Sequence, residues 1–126
     1  MLNILLVGKD PVSLAVFAGE LSKNDAIMVS RAGSGKEAWD ILDRCKVDVV
    51  VVDKELADED ALSFVQKLIK RKPLINYAMV STLSPKDFHE VTEGLGIFMQ
   101  LPADPGPEDA VKMIQMLKSI DTLMGI

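Results

Sequence analysis

Short apolar runs alternate with amphipathic stretches along the whole chain. Five runs are rich in aliphatic and β-branched residues, which is typical of strands. They are Asn3 to Val7, Ala26 to Ser30, Val47 to Val52, Ile75 to Val80 and Ile97 to Leu101. The third run is almost continuous valine, a pattern that indicates a strand covered on both faces. Helices are therefore expected on both sides of the sheet.

The stretches between these runs place apolar residues at helical spacing, so that each predicted helix turns one stripe towards the sheet. The stripes are Leu14, Phe17, Ala18 and Leu21; Ala38, Ile41, Leu42 and Cys45; Ala61, Val65, Leu68 and Ile69; Phe88, Val91 and Leu95; and Ala110, Met113, Ile114, Leu117 and Met124. Asp10 before Pro11, and Ser84 before Pro85, are each typical of a capping residue followed by proline at the first helical position. We expect helices one and four to begin there.

Strand and helix alternate five times, which favours right-handed crossovers and a parallel sheet. We predict an α/β three-layer sandwich with an open, flavodoxin-like (βα)5 sheet of strand order 2-1-3-4-5. A chain of 126 residues has room for one core, so residues 1–126 are assigned to a single domain.

The functional crevice of such a sheet lies at the carboxyl ends of the strands, beside the point where strand order reverses. Here that point falls between strands one and three. The residues expected at this edge are Gly8, Lys9, Asp10, Asp53, Lys54, Ser81, Thr82, Leu101 and Pro102.

Composition removes several classes of function. The chain has 19 acidic and 14 basic residues, a net charge of −5, which argues against nucleic-acid binding. Cys45 is the only cysteine, which excludes an internal disulfide and a multi-thiolate metal site and fits a reducing cytoplasm. The run from Ile4 to Val7 is too short to span a membrane and has no basic leader, so no membrane role is expected.

An enzyme, or a nucleotide or flavin binder, is the least favoured reading. The segment Gly33 to Lys36 suggests a phosphate-binding loop, but Ser30 and Glu37 stand where that motif needs glycine and a hydroxyl residue. His89 is the only histidine and has no second histidine or cysteine with which to form a metal site. We find no nucleophile and base pair, so we do not expect an enzyme.

The sequence resembles the receiver domain of two-component response regulators, the CheY-like family, over essentially its whole length. Asp48 to Asp53 resembles the strand that ends in the family's phosphoacceptor aspartate. Further matches are Leu56, Asp60 and Ala61 in the following loop, Ser81 at the hydroxyl position ending strand four, Gly94 before strand five, Phe98 at the switch aromatic, and Pro102 in the family's Lys-Pro pair. The resemblance implies phosphorelay signalling with a histidine kinase or an effector protein as partner.

The pocket departs from the family at three positions. The resemblance implies two acidic residues that hold magnesium at the end of strand one, but Gly8 and Lys9 stand there; Leu101 replaces the lysine that contacts the phosphoryl group. Phosphoryl transfer to a carboxylate relies on a divalent cation to offset like charges. With only Asp53 and, weakly, Asp10 as candidate ligands, no metal or other cofactor is expected.

We therefore interpret the chain as a pseudo-receiver that signals by protein contact, with Lys9 or Lys54 paired with Asp53. The alternative is a working phosphoacceptor, because Asp53 and Ser81 persist; that alternative would require Mg²⁺. The last helix carries a second apolar ridge of Met116, Ile120 and Leu123. The resemblance implies a homodimer through the face of helix four, strand five and helix five, although wrap-around packing of this ridge explains it equally well.

Overall fold

A computed structural model describes the backbone of residues 1–123 and the side chains of residues 1–120. The elements are β1 (Leu2–Val7), α1 (Ala15–Ser22), β2 (Ile27–Ala32), α2 (Gly35–Arg44), β3 (Val49–Val52), α3 (Ala61–Arg71), β4 (Asn76–Val80), α4 (Pro85–Thr92), β5 (Met99–Leu101) and α5 (Pro107–Leu123). The five strands form one parallel sheet in the order β2-β1-β3-β4-β5. The predicted α/β fold and its strand order are confirmed.

Two hydrophobic clusters cover the two faces of the sheet, and β3 contributes residues to both clusters. Val50 and Val52 pack with α2, α3 and α4, whereas Val49 and Val51 pack with α1 and α5. All four valines are 0% exposed, which confirms the prediction of a strand that is covered on both faces. Among the described residues, no helix is both long and apolar enough to cross a membrane.

The start of the first helix differs from the prediction. Helix α1 begins at Ala15 and its N-cap is Leu14, which makes no capping side-chain bond. Asp10 is therefore not the N-cap. Its Oδ1 accepts a hydrogen bond from the backbone N–H of Val12 at 2.9 Å, and this local turn delays the helix. The prediction for α4 is confirmed, because the Ser84 side chain caps the N–H of Asp87 and Pro85 opens the helix.

Several stripe residues also lie elsewhere than predicted. Cys45 is the exposed C-cap residue of α2 and not part of its buried stripe. Val91 is 47% exposed, and Leu95 follows α4, which ends at Thr92. Gly94 has a φ of +80°, a left-handed conformation that prevents the helix from continuing. Met124 lies outside the described residues.

Tyr77, the only tyrosine, ties β4 to the end of α3. Its hydroxyl donates to the carbonyl oxygens of Lys72 at 2.7 Å and of Leu68 at 3.2 Å. The Leu68 carbonyl also accepts from the backbone N–H of Lys72, the C-cap residue, at 2.7 Å, so the phenol bonds at the point where α3 ends. Burial raises the pKa of Tyr77 to about 12 from 10.0. The neutral phenol is therefore part of the folded core.

An alkaline titration should report this burial directly. Because the folded pKa is raised above the unfolded value, the tyrosine stabilises the fold fully below pH 10.0, and this contribution is lost as the pH rises towards 12. We expect the ultraviolet absorbance of the phenolate to rise with a midpoint about two units above that of the protein unfolded in guanidinium. Equal midpoints for folded and unfolded protein would contradict the buried position.

Candidate functional site: a closed aspartate pocket

Asp53 lies at the end of β3, in the crevice that the strand order predicts, and it is 4% exposed. Its backbone N–H donates to the carbonyl of Val7 at 2.8 Å, which fixes the residue against the end of β1. Its Oδ1 accepts from the backbone N–H of Lys54 at 2.8 Å, and its Oδ2 accepts from the Ser13 hydroxyl. Both carboxylate oxygens therefore have protein donors.

Gly8 closes the pocket from the side of β1. A Cβ atom at this position would lie 2.7 Å from the Cβ of Asp53 and 3.0 Å from its Oδ2. Such contacts are too short for real side chains, so Asp53 occupies the space that a larger residue at position 8 would need.

The two neighbouring lysines do not form the predicted ion pair. Lys9 and Lys54 are exposed, and among the described residues neither forms an ion pair with Asp53. The backbone N–H of Lys9 donates to the carbonyl of Glu55 at 2.9 Å, while its side chain stays at the surface. An ammonium group keeps its hydration there, and the Asp53 oxygens already have neutral donors, so pairing would add desolvation cost.

Four other predicted residues, Leu101, Ser81, Pro102 and Phe98, do not line the depression at Asp53. Leu101 is fully buried in the cluster beneath α1 and α5, and its carbonyl accepts from the N–H of Ser81 at 2.9 Å. The Ser81 hydroxyl accepts from the N–H of Leu83 at 3.2 Å, within its own loop. Pro102 is exposed and Phe98 is half-buried against the same cluster as Leu101.

Gln100 fastens the loop that carries Ser81. Its side-chain amide donates to the carbonyl of Leu83 at 2.8 Å and to that of Ser81 at 3.3 Å. Strand β5 therefore holds the loop between β4 and α4 by side-chain as well as backbone bonds. The sequence predictions did not single out Gln100, because nothing in its spacing indicates where its amide points.

Three more residues lie near Asp53 and were not predicted from the sequence: Ser13, Glu55 and Asp104. A depression of about 200 Å³ above Asp53 is lined by Asp10, Ser13, Asp53, Lys54, Glu55 and Asp104. Ser13 shares a turn with Asp10, and only the delayed start of α1 brings its hydroxyl to Asp53. Within the described part of the chain, no three Asp, Glu, His or Cys side chains are grouped so that they could hold a metal ion.

The loop after β3 is anchored to the start of α2 by Asp58. Its two carboxylate oxygens accept from the backbone N–H groups of Gly35 at 2.8 Å and Lys36 at 3.1 Å. The bond from Gly35 is the main cause that lowers the pKa of Asp58 below 3.8. The segment from Gly33 to Lys36 suggested a phosphate-binding loop. Two of its backbone N–H groups, which could otherwise bind an anion, already donate to the carboxylate of Asp58.

The residues predicted for an interface lie on α5. Met116 is 40% exposed, and Ile120 is half-buried. The side chain of Leu123 lies outside the described residues. The ridge is thus open to solvent at Met116 and partly covered at Ile120.

Comparison with known proteins gives a consistent family. The model of the response regulator receiver domain matches residues 4–116. A protein-glutamate methylesterase/protein-glutamine glutaminase of Methanospirillum hungatei is 31% identical over 119 residues, covering 88% of this chain and 34% of the relative. One from Syntrophus aciditrophicus is 32% identical, covering 76% and 28%. The chain spans about a third of the length of these curated relatives.

Solved structures agree with this match at the level of the fold. The chemotaxis response regulator CheY4 of Vibrio cholerae superposes with a TM-score of 0.79 at 19% identity, covering 91% of this chain and 97% of that one. A CheY-like receiver domain protein from Methanospirillum hungatei gives a TM-score of 0.77 at 18% identity, covering 91% of each.

Proposed function

Because this chain belongs to the family of response regulator receiver domains, we propose that it acts in two-component signalling by protein contact, without a magnesium-dependent phosphorylation cycle. The proposal concerns the state of the pocket, not the family. Its main support is the close packing of Gly8 on Asp53, because the space for a metal-binding carboxylate at position 8 is filled by Asp53 itself.

The donors around Asp53 do not fit a magnesium site. Mg²⁺ requires near-octahedral oxygen coordination and is usually held by one or two carboxylates together with waters. Both oxygens of Asp53 accept hydrogen bonds from Ser13 and Lys54, and an oxygen of Asp10 accepts one from Val12. A metal ion would have to share these oxygens with their hydrogen-bond donors and would meet no second carboxylate at position 8 or 9. We therefore derive no step through a metal ion.

The absence of a positive charge at position 101 also argues against a stable phosphoryl group on Asp53. A phosphoryl group on Asp53 would add negative charge next to Asp10, Glu55 and Asp104, which line the same depression. Leu101 offers no charge to offset it, and Lys54, the one basic residue that lines the depression, is exposed and forms no ion pair with Asp53 among the described residues. The resting state, with Asp53 bonded to Ser13, is therefore the state that we expect partners to recognise.

Intact-mass measurement tests this proposal. After incubation with a small phosphodonor and Mg²⁺, we expect the protein to keep its mass, because no metal ion offsets the charge at Asp53. The matched control is Asp53→Asn, which cannot form an acyl phosphate. A stable gain of one phosphoryl group that is lost in Asp53→Asn would overturn the proposal and favour the working phosphoacceptor, for which Asp53 and Ser81 are the retained residues.

The proposal extends to the setting in which the domain works. A histidine kinase or a downstream effector is the partner class for receivers, and we propose that this domain meets such a protein in the cytoplasm. We propose no catalytic role for it, since the methylesterase activity named for its relatives belongs to proteins about three times longer than the matched region. A homodimer through α4, β5 and α5 stays a prediction.

A further inference from the structure

A wide depression lies at the edge of the sheet opposite Asp53. It has a volume of about 590 Å³ and its apolar lining includes Leu2, Ile27, Val47, Ile75, Ile114 and Leu117. We call this depression the N-terminal groove, since the strands begin there. Its volume is in the range found for ligand-binding sites in proteins. None of the residues that form the aspartate pocket lines it.

Leu74 extends the apolar surface beyond the groove. It belongs to the connection between α3 and β4 and is 96% exposed, the highest exposure among the large hydrophobic residues whose side chains the structure describes. A single exposed leucine is ordinary, but this one borders an apolar depression, so the two form a continuous patch. Pro73 precedes it and restricts the backbone of the connection.

The connection between α3 and β4, beside the groove, is basic, although the chain has a net charge of −5. Residues 68–76 contain Lys70, Arg71 and Lys72 and no acidic residue, whereas in residues 41–48 Arg44 and Lys46 are balanced by Asp43 and Asp48. A third connection is balanced by Lys23 and Asp25. The surface around Leu74 is thus apolar with a positive rim.

The charged residues inside the groove strengthen this imbalance. Among its described lining residues, Asp48 is the only carboxylate, and its Oδ2 already accepts from the N–H of Asn3 at 2.8 Å. Lys46 lies 3.9 Å from the other oxygen and its side chain is 82% exposed, so its charge faces solvent.

We infer that the N-terminal groove docks an amphipathic segment of a partner protein, with apolar side chains in the groove and acidic side chains against Lys46 and the basic rim. The positive charge of residues 68–76 and of Lys46 favours an occupant whose polar face is acidic. Helix-in-groove recognition uses apolar anchors at i, i+3, i+4 and i+7 with polar flanks. The inference is independent of how Asp53 is used.

Two synthetic amphipathic peptides with the same leucine face test the inference, one with glutamate and one with lysine on its polar face. We expect the glutamate peptide to bind, with NMR shifts of the amides of Ile27, Leu74 and Asn76, and the lysine peptide not to bind. Leu74→Glu and Lys46→Glu should each weaken the glutamate peptide by about tenfold or more, the size of a lost anchor or a reversed charge.

The matched controls are Val16→Glu and Lys86→Glu, which make the same changes at exposed positions on α1 and α4 and should leave the affinity unchanged. The inference is overturned if neither peptide binds, if both bind equally, or if the control variants weaken binding as strongly. It is also overturned if the groove serves another occupant: vesicles with anionic lipid bound in place of the peptide, or a dimer in sedimentation that Leu74→Glu converts to a monomer.

Discussion

Leu101→Lys is expected to lower the free energy of unfolding by about 3–5 kcal/mol, although it restores the residue type that the family carries at this position. Leu101 is 0% exposed and packs in the cluster beneath α1 and α5. The substitution removes apolar contacts and places an ammonium group where it has no carboxylate partner. Denaturant unfolding can be followed by the fluorescence of Trp39, the only tryptophan.

Trp39 suits this measurement because its surroundings depend on the fold. Its ring packs edge-on against Phe64 with the centroids 6.1 Å apart, and the guanidinium carbon of Arg71 lies 4.4 Å from its centroid. The control is Leu101→Met, which keeps the volume and should cost less than about 1.5 kcal/mol. If Leu101→Lys were as stable as that control, the lysine would be reaching the crevice, and the pocket could accept the family's cation.

Gly8→Ala is expected to cost about 1–3 kcal/mol, an unusually large effect for a single added methyl group. The new Cβ would lie 2.7 Å from the Cβ of Asp53, which is fixed to the end of a central strand and cannot swing aside. Gly8→Asp should cost more, since it adds a second carboxylate to the same space. The same fluorescence measurement applies, and amide shifts of Asp53 would report its displacement.

The chain offers a matched substitution for this effect. Gly19 lies on the exposed side of α1, and a Cβ there would meet nothing within 4 Å. Gly19→Ala should therefore raise the stability by about 0.5–1 kcal/mol through helix propensity alone. The opposite signs of the two glycine substitutions are the critical result. Equal effects would mean that Gly8 has room for a side chain and that the pocket is open.

The sequence predicted the architecture well because the architecture depends on periodic burial. Alternation along the chain located all five strands, and continuous valine located the central one. Element ends were less accurate where local side chains compete with the helix. Asp10 bonds to the backbone of Val12 and delays α1, a contact that the capping pattern at Pro11 does not distinguish from a true N-cap.

The position of Asp53 was predicted from the sequence, but the bonds that it forms were not. Strand ends and the family resemblance both pointed to Asp53 and to the altered positions 8, 9 and 101. The predicted ion pair between Asp53 and a lysine was wrong, because neutral donors, the Ser13 hydroxyl and a backbone N–H, already occupy the Asp53 oxygens. Ser13 reaches Asp53 only through the turn before α1, and Gln100 reaches the next loop through a side-chain rotamer. Such directions depend on tertiary structure rather than on spacing.

The two hydrogen bonds from Gln100 to the loop after β4 have a consequence for how the binding of a partner to this domain would be controlled in a cell. A loop held from the neighbouring strand presents one preformed shape, so a partner that reads it loses little conformational entropy on binding. Occupancy of that partner would then follow mass action, rising and falling with the abundance of the two proteins. Under the proposed function, without phosphorylation of Asp53, synthesis and degradation of the two proteins would set the level of the signal.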